Sequence, residues 1–317
     1  MIVTVTLNPS LDRTVEVDKL QRGAVLRTSE PVIQPGGKGV NVTRALALNG
    51  TQSVAVLPVA GAEGAELTLL LDDAGVSARY VPVSGRTRSN LTVAEPDGTV
   101  TKLNEPGSPL SKQDLAVLIE VLSSTVSASD WVVISGSLPP ELSTEQFLEL
   151  LQGVTALGAS LGIDTSGDAL AASLAARPRL VKPNRAELAE VVGRPVDSIA
   201  QVIAAAQELR GRGVERVLVS LGADGAVLVS EHGVLVGSSS VISPRSTVGA
   251  GDCFLAGFLS RFSIDETAED AALLEALAWG AAAAGLPGTS VPGPGDIALS
   301  NVQLVWQPDL DRPLVAT

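Results

Sequence analysis

The sequence predicts an α/β protein in which helices flank a central, mostly parallel sheet, with a small antiparallel β lid added to it. Short runs rich in valine, isoleucine and leucine alternate with helical patterns along most of the chain. Such alternation is typical of βαβ units, in which successive strands run parallel. Two half-polar stretches, at about 11–35 and 86–103, interrupt the alternation and indicate a second, smaller sheet.

The candidate strands are short and apolar, as expected for strands that are covered on both faces. Longer segments between them carry the spacing of amphipathic or buried helices. The predicted strands are "IVTVTL" (2–7), "SVAVLP" (53–58), "WVVISG" (131–136), "ASLGID" (159–164), "RLVKPN" (179–184) and "RVLVSLG" (216–222). The predicted helices span residues 38–48, 111–126, 144–157, 198–210, 253–262 and 267–284.

The two interrupting stretches alternate polar and apolar residues around turn signals such as Pro96-Asp97-Gly98. This pattern is typical of antiparallel hairpins. Strands of this kind, inserted between parallel units, would form a small sheet that covers a cleft as a lid. We therefore expect a single domain over residues 1–317, with lid strands at about 11–35 and 86–103.

Composition and charge limit the kinds of binding partner and the cellular compartment that we expect for the chain. The chain has 317 residues, a formal net charge of −13 and one cysteine, so it has no internal disulfide. It also lacks the patterns of a signal peptide and of a membrane-spanning helix, and we expect a cytoplasmic protein without a membrane partner. The acidic charge argues against nucleic acid as a partner. Charge is nearly balanced over residues 1–110, however, so an anion site could lie in that part.

Two glycine-rich turns, "VGAGD" (248–252) and "PGGKGVNVTRALALNG" (35–50), lead into predicted helices, and the second also carries Lys38 and Arg44. Unhindered backbone N–H groups at a helix start favour phosphate. Neither turn has the spacing of a P-loop or of a dinucleotide-binding fingerprint. A plain turn before a buried helix explains "VGAGD" about equally well. Asp252 favours catalysis, because an acid there would repel phosphate unless it accepts a proton from the attacking nucleophile.

Six segments, in the expected order and over almost the whole chain, resemble the ribokinase-like (PfkB) family of carbohydrate kinases. Within the family, the residues of these segments are most similar to those of the branch that phosphorylates hexose phosphates. The resemblance implies a ribokinase-like α/β fold and transfer of a phosphoryl group from ATP to a sugar phosphate. The matching segments are "LNPSLD" (7–12), "PGGKGVNVTRAL" (35–46), "VISGSLPP" (133–140), "LVKPNRAEL" (180–188), "VSLGADGA" (219–226) and "STVGAGDCFLAGFL" (246–259).

The resemblance assigns roles in the transfer step. Asp252 matches the family's catalytic base, which takes the proton from the substrate hydroxyl as it attacks the γ-phosphorus of ATP. The backbone N–H groups of Gly249, Ala250 and Gly251 match the anion hole, which offsets charge on the transferring group. The glycines would thus admit the phosphate, and the aspartate would activate its acceptor.

The resemblance also implies a site for ATP and Mg²⁺. Asn184 and Glu187 match the family's Asn-x-x-Glu motif, which orients Mg²⁺ and its waters. The same two residues fit a capping box at a helix start, and both roles can hold together. Gly222 and Gly225 fit a hairpin turn equally well. The residues expected beside ATP are Lys182, Asn184, Ser220, Gly222 and Gly225.

For the sugar phosphate, the resemblance names a hydroxyl site and a phosphate site. Each residue taken alone also fits a solvated turn or a solvated surface charge. Their convergence in the part of the chain without excess acid supports the assignment. The residues expected at the sugar are Asp12, Gly36, Gly37 and Asn41. The cations expected at the substrate's own phosphate are Arg27, Lys38 and Arg88.

The substrate implied first is fructose 1-phosphate, which would be phosphorylated on its C6 hydroxyl to give fructose 1,6-bisphosphate. A 6-phosphorylated ketohexose, tagatose 6-phosphate or fructose 6-phosphate, is the alternative. A third reading is a sugar-phosphate-binding regulator without turnover, which the presence of Asp252 disfavours. Lys38 in "GGKG" is expected where the substrate is fructose 1-phosphate or tagatose 6-phosphate, whereas family members acting on fructose 6-phosphate resemble "GGGG". The expected assembly is a homodimer through the lid strands.

Overall fold

The computed structural model describes residues 1–28, 30–240 and 246–315, which form two sheets and the helices around them. The strands are β1 (Ile2–Val5), β2 (Ser10–Glu16), β3 (Val32–Gly36), β4 (Ser53–Val59), β5 (Ala78–Pro82), β6 (Arg88–Ala94), β7 (Val100–Asn104), β8 (Trp131–Ser135), β9 (Ser160–Asp164), β10 (Leu180–Val181), β11 (Arg216–Ser220), β12 (Ala226–Ser230), β13 (Gly233–Ser239) and β14 (Val302–Leu304). The helices are α1 (Lys38–Leu48), α2 (Gly61–Asp73), α3 (Lys112–Thr125), α4 (Thr144–Ala156), α5 (Gly167–Ser173), α6 (Arg185–Val192), α7 (Ile199–Gly211), α8 (Ala250–Phe262) and α9 (Glu269–Ala284).

The larger sheet has ten strands in the order β14-β13-β12-β11-β10-β9-β8-β1-β4-β5. From β11 to β5 all neighbours are parallel, whereas β12, β13 and β14 extend the sheet in antiparallel fashion. Every residue of β1 and β8 is buried, as expected for strands covered on both faces. The predicted central, mostly parallel sheet is confirmed.

Two buried clusters hold helices on the two faces of this sheet. Along β8, Val132 and Ile134 belong to one cluster, whereas Trp131 and Val133 belong to the other. The first cluster includes Phe147 of α4, and the second contains the buried apolar residues of α8 and α9. Each fully buried large side chain contributes roughly 1.5–3 kcal/mol. The strands are therefore fixed on both faces, and their carboxyl ends are left for the site.

The smaller sheet has the order β3-β2-β6-β7 and contains both predicted lid stretches. Each stretch supplies an antiparallel pair, β2 with β3 and β6 with β7. The two pairs meet through β2 and β6, which run parallel, so the lid is antiparallel within each stretch and parallel at its centre. The reason is connectivity, because β2 follows β1 and β6 follows β5, and the parallel strands of the larger sheet release the chain at one edge.

The predicted helices all occur, and α1 has the predicted bounds. One predicted strand is much shorter in the structure, and several elements were not predicted, among them β5, α2 and α5. The strand at 179–184 shortens to β10, because Pro183 has no N–H for a sheet and α6 begins directly after it. The unpredicted helix α2 carries two glycines in "GAEGAELTLLLDD", which weaken its helical signal. Within the described ranges, no helix is long and apolar enough to cross a membrane.

Candidate active site

The predicted catalytic and nucleotide residues meet at the carboxyl ends of the parallel strands. Asp164 is the last residue of β9, Lys182 follows β10, and Asn184 caps α6 directly afterwards. Lys38 is the first residue of α1, and α8 starts at Ala250. Ligands of open parallel sheets bind at this edge. The fold therefore brings residues that are far apart in sequence together in one cluster.

Asp252 lies in the first turn of α8 and is 7% exposed. Its Oδ2 accepts a hydrogen bond from Nδ2 of Asn41 at 2.9 Å. Burial and then the negative charge of Asp164 raise the pKa of Asp252 to about 7, although Asn41, Lys38 and Lys182 act in the opposite direction. A carboxylate with a pKa near neutrality is suited to general base catalysis, because it can accept a proton and release it again.

The glycine turn before Asp252 has the backbone expected of an anion site. Gly249 caps α8 in the left-handed region, at φ 78°, and no side chain caps the helix start. The Ala250 amide makes a long hydrogen bond of 3.4 Å to the carbonyl of Thr247. A Cβ atom at Gly251 would lie 3.8 Å from Nζ of Lys182. Helix amides and an ammonium group therefore border the same space, which favours an anion.

Asp164 is a central residue that the sequence analysis missed. It is fully buried, and its Oδ1 lies 3.1 Å from Nζ of Lys38 and 3.2 Å from Nζ of Lys182. Burial would raise the pKa of Asp164, but Lys182 and Lys38 hold it below the usual range. Its Oδ2 is buried without a hydrogen-bond partner among the described residues. A charged residue at the carboxyl end of the apolar run "ASLGID" was the signal available in the sequence.

Lys38 points to this carboxylate cluster. Besides Asp164, its Nζ approaches Oε1 of Glu187 at 3.5 Å. The charge of Asp164 raises the pKa of Lys38, against the effect of burial, and Glu187 and Asp252 add to the rise. Lys38 therefore stays protonated and is close enough to Asp252 to feel its charge. Its predicted contact with the substrate's own phosphate stays a prediction.

Asn184 and Glu187 form the predicted capping box at the start of α6. Oδ1 of Asn184 accepts from the Glu187 amide at 2.9 Å, and Oε2 of Glu187 accepts from the Asn184 amide at 2.8 Å. Their oxygens are of the type that Mg²⁺ prefers. No group of three or more His, Cys, Asp or Glu side chains suited to a metal occurs in the described part of the chain. The donor set fits a cation that keeps most of its waters.

The other residues predicted beside ATP lie at the end of β11 and in the turn that follows it. Ser220, at the end of β11, forms a bridge with Asn184 and so lies next to the capping box. Gly222 begins the turn to β12, and a Cβ atom there would meet nothing within 4 Å. Gly225 has φ 94°, and its Cβ would lie 2.1 Å from the carbonyl oxygen of Gly237. Packing of the turn against β13 accounts for Gly225, and the hairpin prediction is confirmed.

Asp12 lies on β2, on the lid. Its Oδ1 accepts hydrogen bonds from Oγ of Ser10 at 2.8 Å and from Nδ2 of Asn90 at 2.9 Å. A Cβ atom at Gly36 would lie 2.5 Å from the Asp12 carboxylate, so the close approach requires glycine. Asn90, which the sequence analysis missed, keeps its Oδ1 buried without a hydrogen-bond partner among the described residues. The parallel pairing of β2 with β6 sets Asn90 opposite Asp12.

The remaining residues predicted at the sugar phosphate do not all lie together. Arg88 is partly buried on β6, and its Nη1 donates to the Glu105 carbonyl at 3.3 Å. Burial lowers the pKa of Arg88, while Asp12 acts in the opposite direction. Gly37 caps α1 at φ 113°. Arg27 lies exposed between β2 and β3, outside this cluster of contacts.

Comparisons with known proteins agree with this arrangement. The family model described as pfkB family carbohydrate kinase matches residues 5–294. A 1-phosphofructokinase of Rhodobacter capsulatus is 38% identical over 94% of this chain and 94% of that protein. The ATP-dependent 6-phosphofructokinase isozyme 2 of Escherichia coli is 36% identical over 89% of this chain and 90% of that protein. The crystal structure of Escherichia coli phosphofructokinase-2 in complex with potassium superposes with a TM-score of 0.89, at 34% identity over 93% of this chain and 96% of that chain. The chain belongs to the pfkB family of carbohydrate kinases.

Proposed function

We propose that this protein transfers the γ-phosphoryl group of ATP to the C6 hydroxyl of fructose 1-phosphate, which gives fructose 1,6-bisphosphate. One observation carries the proposal of phosphoryl transfer. Asp252 is a buried carboxylate with a pKa near 7, placed behind a glycine turn and beside Lys38 and Lys182. The choice of fructose 1-phosphate is supported by relatives named 1-phosphofructokinase that align over most of the chain.

In the proposed reaction, Asp252 accepts the proton of the C6 hydroxyl through the carboxylate oxygen that Asn41 does not occupy. The amides of Gly249, Ala250 and Gly251 receive the negative charge of the transferring phosphoryl group. Because the base must be ionised, kcat/KM is expected to fall as the pH drops below about 7.

ATP is proposed to lie along the turn at Ser220 and Gly222, with Lys182 between that turn and Gly251. Asn184 and Glu187 would hold Mg²⁺ through waters, and the ion would neutralise charge on the ATP phosphates. The contacts of Lys38 with Asp164 and Glu187 favour a role for Lys38 at the transferring phosphoryl group. A cation in that place lowers the repulsion between the carboxylates and the incoming phosphate.

The sugar is proposed to bind under the lid. Asp12 and the free Oδ1 of Asn90 offer acceptors for sugar hydroxyls, with Gly36 and Gly37 allowing close approach. The substrate's own phosphate is assigned to Arg88, since no carboxylate of the described residues lies within ion-pair distance of its guanidinium.

A 6-phosphorylated ketohexose is the second candidate substrate. The observation in its favour is the similarity to Escherichia coli phosphofructokinase-2, whose structure has also been solved in complex with fructose 6-phosphate. A phosphate at C6 instead of C1 reverses the sugar between Arg88 and Asp252, so the reacting hydroxyl changes with it. A regulator without turnover is disfavoured by the paired base and anion site.

The proposed assembly is a homodimer through the lid sheet in the cytoplasm. The edge strands of this sheet expose apolar side chains, Val32 on β3 and both Val100 and Leu103 on β7. A tetrameric inhibited form of Escherichia coli phosphofructokinase-2 is among the solved relatives. Apolar side chains on sheet edges are typical of surfaces that pair with another chain.

The test is ADP release with ATP and Mg²⁺ against fructose 1-phosphate, fructose 6-phosphate and tagatose 6-phosphate. We expect kcat/KM for fructose 1-phosphate to exceed the others at least ~100-fold, about 2.7 kcal/mol of transition-state discrimination. Asp252→Asn should lower kcat by ~10²–10⁴ while the circular dichroism spectrum is retained. A preference for a 6-phosphate would replace the substrate and keep the chemistry. Binding of sugar phosphate without any turnover would favour the regulator.

A further inference from the structure

We propose that Arg44 is a positioning residue for the base, because it fixes the Asn41 amide so that its nitrogen faces Asp252. The inference rests on the proposed role of Asp252 and adds a residue for which the transfer step itself gives no role. Arg44 and Asn41 both lie on α1, three residues apart, while Asp252 lies on α8. The contact therefore crosses between the two helices that carry the glycine turns.

The hydrogen bonds form a chain with one direction. Nη1 of Arg44 donates to Oδ1 of Asn41 at 3.1 Å, and Nδ2 of Asn41 donates to Oδ2 of Asp252 at 2.9 Å. A guanidinium group has donors only, so the atom of Asn41 that it contacts must be the oxygen. The Asn41 nitrogen is then left for Asp252, and a nitrogen donor favours the ionised carboxylate.

Without Arg44, the orientation of the Asn41 amide would depend on the protonation of Asp252 alone, and a protonated Asp252 would allow the amide to rotate by half a turn. Its oxygen would then face Asp252, and a hydrogen bond would form only if the carboxyl carried the proton. The protonated acid cannot accept the proton of a sugar hydroxyl. Arg44 thus selects the ionised, reactive form of the base without touching it.

The surroundings of Arg44 show a group held at a cost. Burial lowers the pKa of Arg44, against the effects of Cys253 and Asp12, and no ion pair to a carboxylate accompanies it within the described ranges. The same Nη1 also lies 3.3 Å from the carbonyl oxygens of Pro35 and Thr289. Burying a charge among neutral acceptors is costly. We attribute the burial of Arg44 to its role in orienting the Asn41 amide.

The charges that act on Asp252 itself are those of Asp164, Lys38 and Lys182. A substitution at Arg44 leaves these three groups in place, and the double variant with Asn41→Leu separates the amide orientation from the loss of the Arg44 charge itself. The measurement is kcat against pH at saturating ATP and sugar phosphate, since kcat reports the base in the complex with substrate.

Two substitutions of similar length separate positioning from packing. Arg44→Lys keeps a group that only donates, whereas Arg44→Gln introduces one that can donate or accept. We expect Arg44→Gln to move the acid limb up by about one pH unit and therefore to lower kcat at pH 7 about 5-fold, with KM for the sugar phosphate changed less than kcat. We expect Arg44→Lys to keep the acid limb near its wild-type position.

Controls distinguish the possible failures. Arg179→Gln removes a guanidinium that bonds Ser160, Glu215 and Glu266 away from the site, and should leave the acid limb unchanged. Equal losses in Arg44→Gln and Arg44→Lys, with no movement of the limb, would show a packing role and overturn the proposal. If Asp252→Asn turns over normally, the base assignment falls and the inference falls with it. If Asp252→Asn is inactive while Arg44→Gln matches the wild type, the inference alone is wrong.

Asn41 allows the same contact to be tested from its other end. Asn41→Leu removes the donor to Asp252 while Arg44 stays in place, so it must move the acid limb upward even if Arg44→Gln does not fold. Where both variants fold, the double variant should show no shift beyond that of Asn41→Leu alone, because Arg44 acts through Asn41. An additional shift in the double variant, or an unmoved limb in Asn41→Leu, contradicts the proposal.

Discussion

Arg86 and Arg88 differ by two positions in the chain but have different partners. The guanidinium of Arg86 pairs with the carboxylate of Glu105, which also accepts the amide of Ser89. Arg88 contacts only the carbonyl oxygen of Glu105, and its Nε is buried without a partner among the described residues. A guanidinium without a carboxylate partner is the better anion ligand, because nothing has to be displaced.

This difference predicts opposite outcomes for two matched substitutions. Arg88→Met should raise KM for the sugar phosphate roughly 10- to 100-fold, since a charged hydrogen bond contributes about 1.5–3 kcal/mol. Arg86→Met should change KM less than threefold, because Glu105 remains bonded to the Ser89 amide. Steady-state kinetics at saturating ATP measures both. Similar KM values for the two variants would place the substrate's phosphate elsewhere.

At the scale of elements, the lid sheet combines two segments that are far apart in sequence. β2 and β6 pair over their full length, from Ser10 with Arg88 to Glu16 with Ala94, and this pairing brings Asp12 to Asn90. Among the described strands, the outer strands β3 and β7 each pair with one neighbour. Apolar, unpaired sheet edges are typical of surfaces that pair with another chain.

The lid sheet therefore predicts the oligomeric state. We expect the wild type to be a dimer in solution, and expect Leu103→Lys together with Val100→Lys to give a monomer with an unchanged thermal midpoint. Both side chains are more than half exposed, so the folded chain can tolerate lysine. Leu69→Lys, on α2 and 64% exposed, is the control that should remain dimeric. Light scattering gives the mass, and a monomeric wild type would contradict the assignment.

Local sequence signals were sufficient for most of the helices and strands. Gly37 before α1 and Asn49 after it enclose an apolar helical pattern, and the predicted bounds agree with the structure. The capping box of Asn184 and Glu187 is also a short-range signal, and the structure contains it. The helix α2 was missed because its glycines resemble a loop, and burial of Leu67 and Leu71 against the sheet compensates for their weak propensity.

In the molecule as a whole, the contacts that the sequence did not predict are those between residues far apart in the chain. Lys38 and Asp164 are 126 positions apart, and Asp12 and Asn90 are 78 apart. No local pattern distinguishes Asp164 from any other acid at the end of a strand until the sheet order is known. Asp252 could be predicted as a site residue because the glycine turn directly precedes it in the sequence. Its contact with Asn41, 211 positions away, needed the packing of α1 on α8.

The burial of Asp252 also affects the stability of the whole fold. Burial raises the pKa of Asp252 to about 7, so between its ordinary pKa near 4 and pH 7 the folded state binds a proton that the unfolded state has lost. Stability must then fall as the pH rises through this window and stay low above it. The buried carboxylate of Asp252 is thereby expected to destabilise the native state at neutral pH.

Asp252→Asn removes this buried charge without changing the shape of the side chain, and the amide oxygen of the new side chain can still accept the hydrogen bond from Nδ2 of Asn41. We expect its thermal midpoint to exceed that of the wild type by a few degrees at pH 8, and the gain to shrink as the pH approaches 5. Asp265→Asn makes the same change of net charge at an exposed site, where hydrogen bonds from Thr267 lower the pKa of the acid. That variant should gain nothing at pH 8. A gain for Asp252→Asn that is equal at pH 5 and pH 8 would show that improved packing, rather than the removed charge, stabilises the variant.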